Sequence, residues 1–528
     1  MLDALTAKGD QQWDFCIIGG GATGLGVAVD AASRGFSTLL LEQYDFAKGT
    51  SSRATKLVHG GVRYLQQGNI KLVTEALHER GILRRNAPHL VKDQSFIVPN
   101  YKWWEGPYYG LGLKVYDWMA GELGLGKSRW LSREETLEEA PTLEAEGLRG
   151  GVLYHDGQFD DARLAINLAQ TAASVGAVLL NYCRVDGLLK KGMGGGVERG
   201  SDWAERGGEG ERGGAISGVR ITDIQTGTSH EIAARVVINA TGVFTDSILQ
   251  MDDPGSETVI APSQGVHIIL DKDFLPGRAA ILVPHTDDGR VLFAVPWHDR
   301  IIVGTTDTPV SHATIEPRAF PEEIEFILQQ IGRYLCKVPT REDIRSVFAG
   351  LRPLVKSSSK KTAELARDHL ILVADSGLIT ITGGKWTTYR RMAEDTVNTA
   401  IQRTGLPERA CITASLPIHG ANDADAILAL AATNPHWNEL LHSRLPYIQA
   451  EIIWAAREEL CMTVEDALSR RTRSLLLDAR AAIECAPLVA SLLATELGHD
   501  QAWQLAQITT FTELAKGYLP EKTLNSIP

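Results

Sequence analysis

Near its start the chain reads Phe15-Cys16-Ile17-Ile18, then Gly19-Gly20-Gly21-Ala22-Thr23-Gly24, an apolar helical run, and Ser37-Thr38-Leu39-Leu40-Leu41-Glu42. This is a strand, a tight glycine turn, a helix and a second strand ending in an acid. Gly19 permits the sharp turn, Gly21 lets backbone approach a phosphate, and Gly24 lets helix pack closely on strand. The free amides of the helix start, aided by the helix dipole, face a negative pyrophosphate. Glu42 lies about 20 residues beyond the first glycine, where a carboxylate accepts bonds from ribose hydroxyls and disfavours a 2′-phosphate. The unit predicts a dinucleotide-binding α/β domain and a redox protein.

At 528 residues the chain is too long for one core, and two or three domains are expected. Hydrophobic and charged fractions of 44% and 22% fit an ordinary globular protein. A net charge of −12 argues against nucleic acid as a partner. Six cysteines are scattered without a CxxC pair. That implies neither a metal site nor a disulfide framework, and points to a reducing compartment. The first fourteen residues carry three acids and no long apolar core, so they do not read as a signal peptide. No stretch has the roughly 20 apolar residues of a membrane span.

Along the chain, residues 70–86 and 161–173 read as helices, 132–139 as a solvated charged segment, and 177–185 as a strand. Residues 192–214 are dense in Gly, Glu and Arg and read as a surface insertion. Residues 232–241 contain a buried strand ending at Gly242. Strand signals cluster over 265–306, with turns at Asp288-Gly289 and His298-Asp299-Arg300, which predicts an antiparallel sheet. Residues 370–393 return to strand, glycine and helix, with Gly383-Gly384-Lys385 at the junction. From about 422 the chain reads as helical, and Thr463 and Asp466 form a capping-box pattern ahead of a helix over 467–477. The expected architecture is a Rossmann-like dinucleotide domain built from separated segments (12–90, 150–262 and 345–415). An antiparallel β-rich cap (91–149 and 263–344) and a C-terminal all-α domain (420–528) complete it.

Several further stretches carry a family resemblance. They are residues 50–65 (TSSRATKLVHGGVRYL), 302–307 (IVGTTD), 350–354 (GLRPL), 383–390 (GGKWTTYR) and 466–473 (DALSRRTR). With the divided dinucleotide domain, they resemble the D-amino-acid-oxidase-like flavoenzymes, and more narrowly the FAD-dependent glycerol-3-phosphate dehydrogenases, over nearly the whole chain. Ala54 departs from the Ser of many members, and the 192–214 insertion is unusual. The resemblance implies FAD as cofactor and sn-glycerol 3-phosphate as substrate. It implies hydride transfer from C2 to the flavin, giving dihydroxyacetone phosphate. Electrons then pass to membrane quinone, or, as the alternative, to oxygen with release of hydrogen peroxide. An amino-acid oxidase of the same fold and a non-catalytic FAD protein are the other readings. A membrane-linked enzyme of this kind would sit on the inner face of the cytoplasmic membrane, and homodimer formation stays open.

The resemblance also assigns residues. His59 is the expected base, since imidazole titrates at about 6.5; ordering the loop or hydrogen-bonding the flavin is its other role. Arg63, Arg352 and Lys385 suit a phosphate dianion, with hydroxyls from Tyr64 and Thr388 and weaker candidates in His267 and Asp307. Around the flavin the expected contacts are Gly19, Gly20, Gly21, Ala22, Thr23, Gly24 and Glu42 at the adenosine end. Thr50, Ser51, Ser52, Lys56, Leu57, His59, Gly60 and Gly61 follow along the loop, then Val185 and Gly242, and Gly383, Gly384 and Lys385 at the last helix start. The aromatic run Tyr101, Trp103, Trp104, Tyr108, Tyr109, Tyr116 and Trp118, with Lys102 and Lys114, suits either a bilayer interface or core packing.

Overall fold

The computed structural model describes residues 12–61, 69–191, 214–356 and 369–520. Arg63, Tyr64 and all of the 192–214 segment except Gly214 lie outside the described residues. Trp13–Ile18 sits mid-sheet, parallel to Thr38–Leu41 on one side and Ser229–Asn239 on the other. Val178–Leu180 extends the first side and Ile379–Gly383 the second, both in parallel. Strands buried on both faces need continuous apolar runs rather than alternation, and Phe15, Cys16, Ile17, Leu39, Leu40 and Leu41 are buried accordingly. The helices Ala22–Ser33, Asp161–Ser174 and Tyr389–Thr404 share one apolar core on this sheet. At Gly26 an added Cβ would come within 2.9 Å of the Tyr389 ring, so the glycine sets how closely the first and last of these helices meet.

The strand expected over 177–185 is two strands. Val178–Leu180 ends at Tyr182, which adopts φ +54°, and Cys183–Lys191 leaves to pair with Ala215–Asp223. A non-glycine residue in that region is held by its partners. Here the Tyr182 amide donates to Tyr44 O at 2.9 Å and its hydroxyl to Asp466 at 2.8 Å.

The second sheet runs in the order Thr308–Pro309, Ile260–Asp271, Arg300–Gly304, Leu292–Trp297, Ala280–Val283, Val91–Asn100, Gly150–Phe159 and Leu57–Val58, with Ser346–Val355 also on Ile260–Asp271. Both expected turns are present, with Gly289 at φ +75° and His298 at φ +51°. Ala280–Val283 runs parallel to Val91–Asn100, so the sheet is mixed rather than wholly antiparallel. The segment boundaries expected at 150 and 345 need correction. Gly150–Phe159 pairs along its length with Val91–Asn100, and Ser346–Val355 with Ile260–Asp271, so both belong to the second sheet. Their apolar content marks them as strands, but the partner that decides the sheet lies far away in sequence.

The C-terminal region contains Asp423–Ala431, Gln449–Glu458, Ala479–Leu497 and Gln501–Lys516. The capping box of Thr463 and Asp466 is present, but the helix expected over 467–477 is interrupted. A π-turn spans Ala467–Arg471, Arg473 turns at φ +55°, and a short helix resumes at Ser474–Leu477. The core of these helices includes Ile269, Trp297, Ile302 and Phe348 from the second sheet. The helical region is therefore packed onto that sheet.

Candidate active site

The glycine turn is built as its spacing predicts. Gly19 adopts φ +110°, and an added Cβ would lie 2.7 Å from Ala240 O. A Cβ on Gly24 would overlap the main-chain carbonyl oxygen of Gly19, so helix and turn meet this closely only because residue 24 is glycine. The Gly20 amide donates to Glu42 Oε2 at 2.7 Å, and the Tyr44 amide to Glu42 Oε1 at 2.9 Å. Burial pushes the Glu42 carboxyl up, and these two amides oppose it. The Ala22 amide donates to Ser51 Oγ at 2.9 Å, tying the next loop to the turn. Helix Ala22–Ser33 has no side-chain N-cap and no acid in its first turn. No acid of the helix itself occupies its positive end, and the one carboxylate nearby, Glu42, is taken up by the Gly20 and Tyr44 amides, which leaves the helix start for an anion.

A cavity of about 630 Å³ opens against the second sheet, bounded also by Thr50 of the loop that Ser51 ties to this turn and by the Gly384–Thr387 segment. At its polar end stand His59, His267, Arg290, Asp307, Arg352 and Lys385. Arg352 projects from strand Ser346–Val355 over Gly265, where any side chain would overlap its guanidinium. Its Nη1 donates to Asp307 Oδ1 at 3.2 Å and Gln264 O at 3.3 Å. Its Nη2 donates to Thr306 O at 3.0 Å and Thr305 Oγ1 at 3.2 Å. Asp307 also faces Arg290 Nη1 at 3.8 Å, so one carboxylate spans two guanidinium groups.

His267 Nε2 is 2.8 Å from Thr55 Oγ1, and its ring stacks on Phe348 with centroids 4.9 Å apart. Burial, with the charges of Arg352 and Lys56, pushes its pKa well below the ordinary value and keeps the ring neutral. His59 also lines the cavity, and its amide donates to Thr387 Oγ1 at 3.3 Å. The next residue is fixed from below. The Gly60 amide donates to Tyr116 OH at 2.8 Å, and Tyr116 donates to Asp156, which also pairs with Arg80 at 2.7 Å. Phe96, Tyr154, Leu282 and Phe293, members of one apolar cluster, also line the cavity, as do the exposed Tyr108, Leu111 and Val115.

Of the expected residues, Thr50, Leu57, His59, Gly61, His267, Asp307, Arg352, Gly384 and Lys385 line this cavity. Gly19 to Gly24, Glu42 and Ser51 are joined in the glycine turn and the loop bonded to it, where the nucleotide is expected. Ser52 is buried beneath the loop, and its carbonyl accepts from Lys56 Nζ at 2.7 Å. Gly242 (φ +59°) and Gly383 (φ +77°) make the turns that end their strands. Val185 is buried in Cys183–Lys191, two residues after a cysteine whose amide donates to Glu42 O.

Lys56 is fully buried, its ammonium committed to Asp161 at 2.5 Å as well as to Ser52 O, so its side chain braces the loop and only its main chain is left for the cofactor contact expected there. One expectation, Thr388, is corrected. Thr388 is buried with its hydroxyl turned to Lys385 O, and Thr387 is the threonine that faces the cavity. Arg290, Asp156 and Thr305 were not anticipated. Arg290 follows a hairpin turn and reads in sequence as a solvated charge. The aromatic run divides by helical periodicity: Tyr109 and Tyr116 are buried, while Trp103 and Trp118 are 78% and 82% exposed.

A parallel strand–glycine turn–helix unit, with a histidine- and arginine-lined cavity against a second sheet, is the arrangement of a flavin-type oxidoreductase. Residues 14–390 match the family model described as FAD dependent oxidoreductase, and residues 378–504 that of the C-terminal domain of alpha-glycerophosphate oxidase. The mitochondrial glycerol-3-phosphate dehydrogenase of Mesocricetus auratus is 40% identical, covering 96% of this chain and 74% of its own length. The probable mitochondrial glycerol-3-phosphate dehydrogenase of Caenorhabditis elegans is 41% identical over 99% of this chain and 76% of its own length. The structure of glycerol-3-phosphate dehydrogenase from Bacillus halodurans complexed with FAD superposes with a TM-score of 0.76 at 27% identity, covering 98% of this chain and 97% of that one. The chain belongs to the family of FAD-dependent glycerol-3-phosphate dehydrogenases.

Proposed function

We propose that this enzyme oxidises sn-glycerol 3-phosphate to dihydroxyacetone phosphate and delivers the electrons to a membrane quinone. The observation that carries this reading is one cavity holding Arg352, Arg290 and Lys385 together with His59, and reaching Thr50 of the loop whose Ser51 is bonded to the glycine turn. A phosphate monoester carries roughly −1.5 to −2 charges, and forked guanidinium groups bind such an anion with good geometry. Arg352 is held in place by Asp307 and the main chain, which take its Nη hydrogens, so it meets the phosphate as a fixed positive charge and through Nε, with little freedom lost on binding. Arg63 and Tyr64 are proposed to complete this end, and Thr387 takes the hydroxyl role first given to Thr388.

FAD, when bound, supplies the acceptor for the C2 hydride. The remaining requirement is a base for the C2 hydroxyl proton. His267 is a poor one, because its burial and cationic neighbours leave it little basicity. His59, on the loop braced by Tyr116 and Asp156, takes the proton. Asp307 orients Arg352.

The apolar lining of the cavity, with exposed Leu111 and Val115 at its edge, suits the ring of a quinone. Trp103, Tyr108 and Trp118 on the same surface suit the headgroup zone of a bilayer. No described helix is long and apolar enough to cross a membrane. The exposed aromatics favour the membrane surface as the proposed site, and the family resemblance implies the inner face of the cytoplasmic membrane. The test supplies glycerol 3-phosphate and compares oxygen uptake with reduction of a quinone embedded in vesicles. The reading expects quinone reduction without hydrogen peroxide; stoichiometric peroxide would replace it with the oxidase.

A further inference from the structure

The loop following the second strand, residues 42–53, lies between the glycine turn and the C-terminal helices. On its nucleotide side, Glu42 accepts from the Gly20 amide, the Ala47 amide donates to Gly20 O at 2.9 Å, and Ser51 Oγ accepts from the Ala22 amide. On its other side the contacts are ionic and buried. Asp45 is completely buried, and its two oxygens accept from Arg471 Nη1 and Nη2 at 2.7 and 2.9 Å. Arg470 Nε forms a second ion pair with the same carboxylate. Arg470 is held in turn by Asp466 at 2.6 Å and Glu465 at 3.0 Å, and Glu465 pairs with Lys48 of the loop at 2.7 Å. Further along, Arg53 pairs with Glu316, whose other oxygen accepts from Tyr518 OH at 3.1 Å, just past the last helix.

The arrangement is more specific than packing requires. Apolar contacts alone would attach the helices to the second sheet, as they do through Ile269, Trp297, Ile302 and Phe348. Buried ion pairs add little net stability over well-packed apolar groups, but a bidentate guanidinium–carboxylate pair fixes position and direction. Arg470 and Arg471 fall in the π-turn that interrupts the expected helix, and such turns recur at functional sites. Burial favours protonation of Asp45, but the charges of Arg471 and Arg470 outweigh it and hold the carboxyl at about 2.

We propose that the C-terminal helical domain clamps loop 42–53 into its FAD-receiving shape. Arg470 and Arg471 are positioning residues that act on the cofactor through Asp45. Docking of the helices and binding of FAD are then linked, and the linkage is reciprocal: each strengthens the other by the same factor.

Two measurements on the full chain test this. First, FAD release is followed after dilution of the holoenzyme, by the fluorescence of freed flavin, in wild type, Asp45→Asn and the milder Glu465→Gln. The clamp predicts release about tenfold faster in Asp45→Asn and severalfold faster in Glu465→Gln; release at the wild-type rate would overturn it. Second, amide hydrogen exchange over residues 463–478 of the wild type is compared with FAD bound and after FAD has been released. The clamp predicts severalfold slower exchange with FAD bound. Identical exchange in the two states would reduce the contacts to ordinary packing and overturn the proposal. If Asp45→Asn does not fold, Glu465→Gln and the wild-type exchange decide the matter.

Discussion

Replacing Arg352 by Met keeps most of the side-chain stem but removes the guanidinium fork. In the wild type that fork is anchored by Asp307, Thr305 Oγ1 and the carbonyls of Gln264 and Thr306. A hydrogen bond to a charged group contributes about 1.5–3 kcal/mol. At 1.4 kcal/mol per factor of ten, losing one such bond to phosphate raises KM by about 10- to 100-fold. The loss stays near the lower end because Arg290 and Lys385 line the same cavity. Arg290 also faces Asp307 at 3.8 Å, so that carboxylate is not left without a cation. FAD content is expected to be unchanged, since Arg352 takes no part in the glycine turn. The assay is steady-state reduction of a dye by glycerol 3-phosphate, with flavin absorbance checked per mole of protein. A KM within twofold of wild type, with FAD retained, would remove Arg352 from the phosphate site.

His59→Asn keeps the loop polar but removes the base, and flavin reduction by substrate in stopped flow is expected to slow by about 10²- to 10⁴-fold; a wild-type rate would reject the assignment. His267 carries a pH signature. Folded, it stays neutral far below its ordinary range, whereas in the unfolded chain it takes up a proton below about pH 6.5. The unfolded state then binds more protons, so its contribution to stability is present above pH 6.5 and falls as pH drops below it, by up to about 1.4 kcal/mol per pH unit. The difference in stability between wild type and His267→Gln should therefore change between pH 7 and 5, and parallel curves from thermal melts would refute it. Replacing Trp103 and Trp118, both strongly exposed, by Glu is expected to reduce co-sedimentation with anionic vesicles severalfold while leaving KM for glycerol 3-phosphate unchanged; equal co-sedimentation would locate any membrane contact elsewhere.

What was legible in the sequence is what short range controls. The Gly19 to Gly24 spacing encodes a turn whose clashes are local, and the structure reproduces it down to the contact between Gly24 and Gly19 O. The Asp288-Gly289 turn and the Thr463–Asp466 capping box are similarly self-contained. Pairing between distant strands was not legible, which is why Gly150–Phe159 and Ser346–Val355 belong to a different sheet from the one expected. Lys56 shows the limit for site residues: its motif points to the cofactor, but the carboxylate that claims it, Asp161, is more than 100 residues away. Thr387 and Thr388 differ only in which side of a tight turn each faces, a distinction that adjacent identical residues do not reveal. Arg290 became visible only when its hairpin folded over the cavity beside Asp307.

The central claim is that basic groups and His59 present the carbinol carbon of a phosphorylated polyol to a flavin. It is tested most directly without oxygen, by mixing the FAD-loaded enzyme with sn-glycerol 3-phosphate and recording the visible flavin bands. The account predicts complete bleaching by this substrate and none by glycerol at equal concentration, because only the former offers the cavity a dianion. A flavin that stays oxidised with glycerol 3-phosphate, or bleaches equally with both, would contradict it.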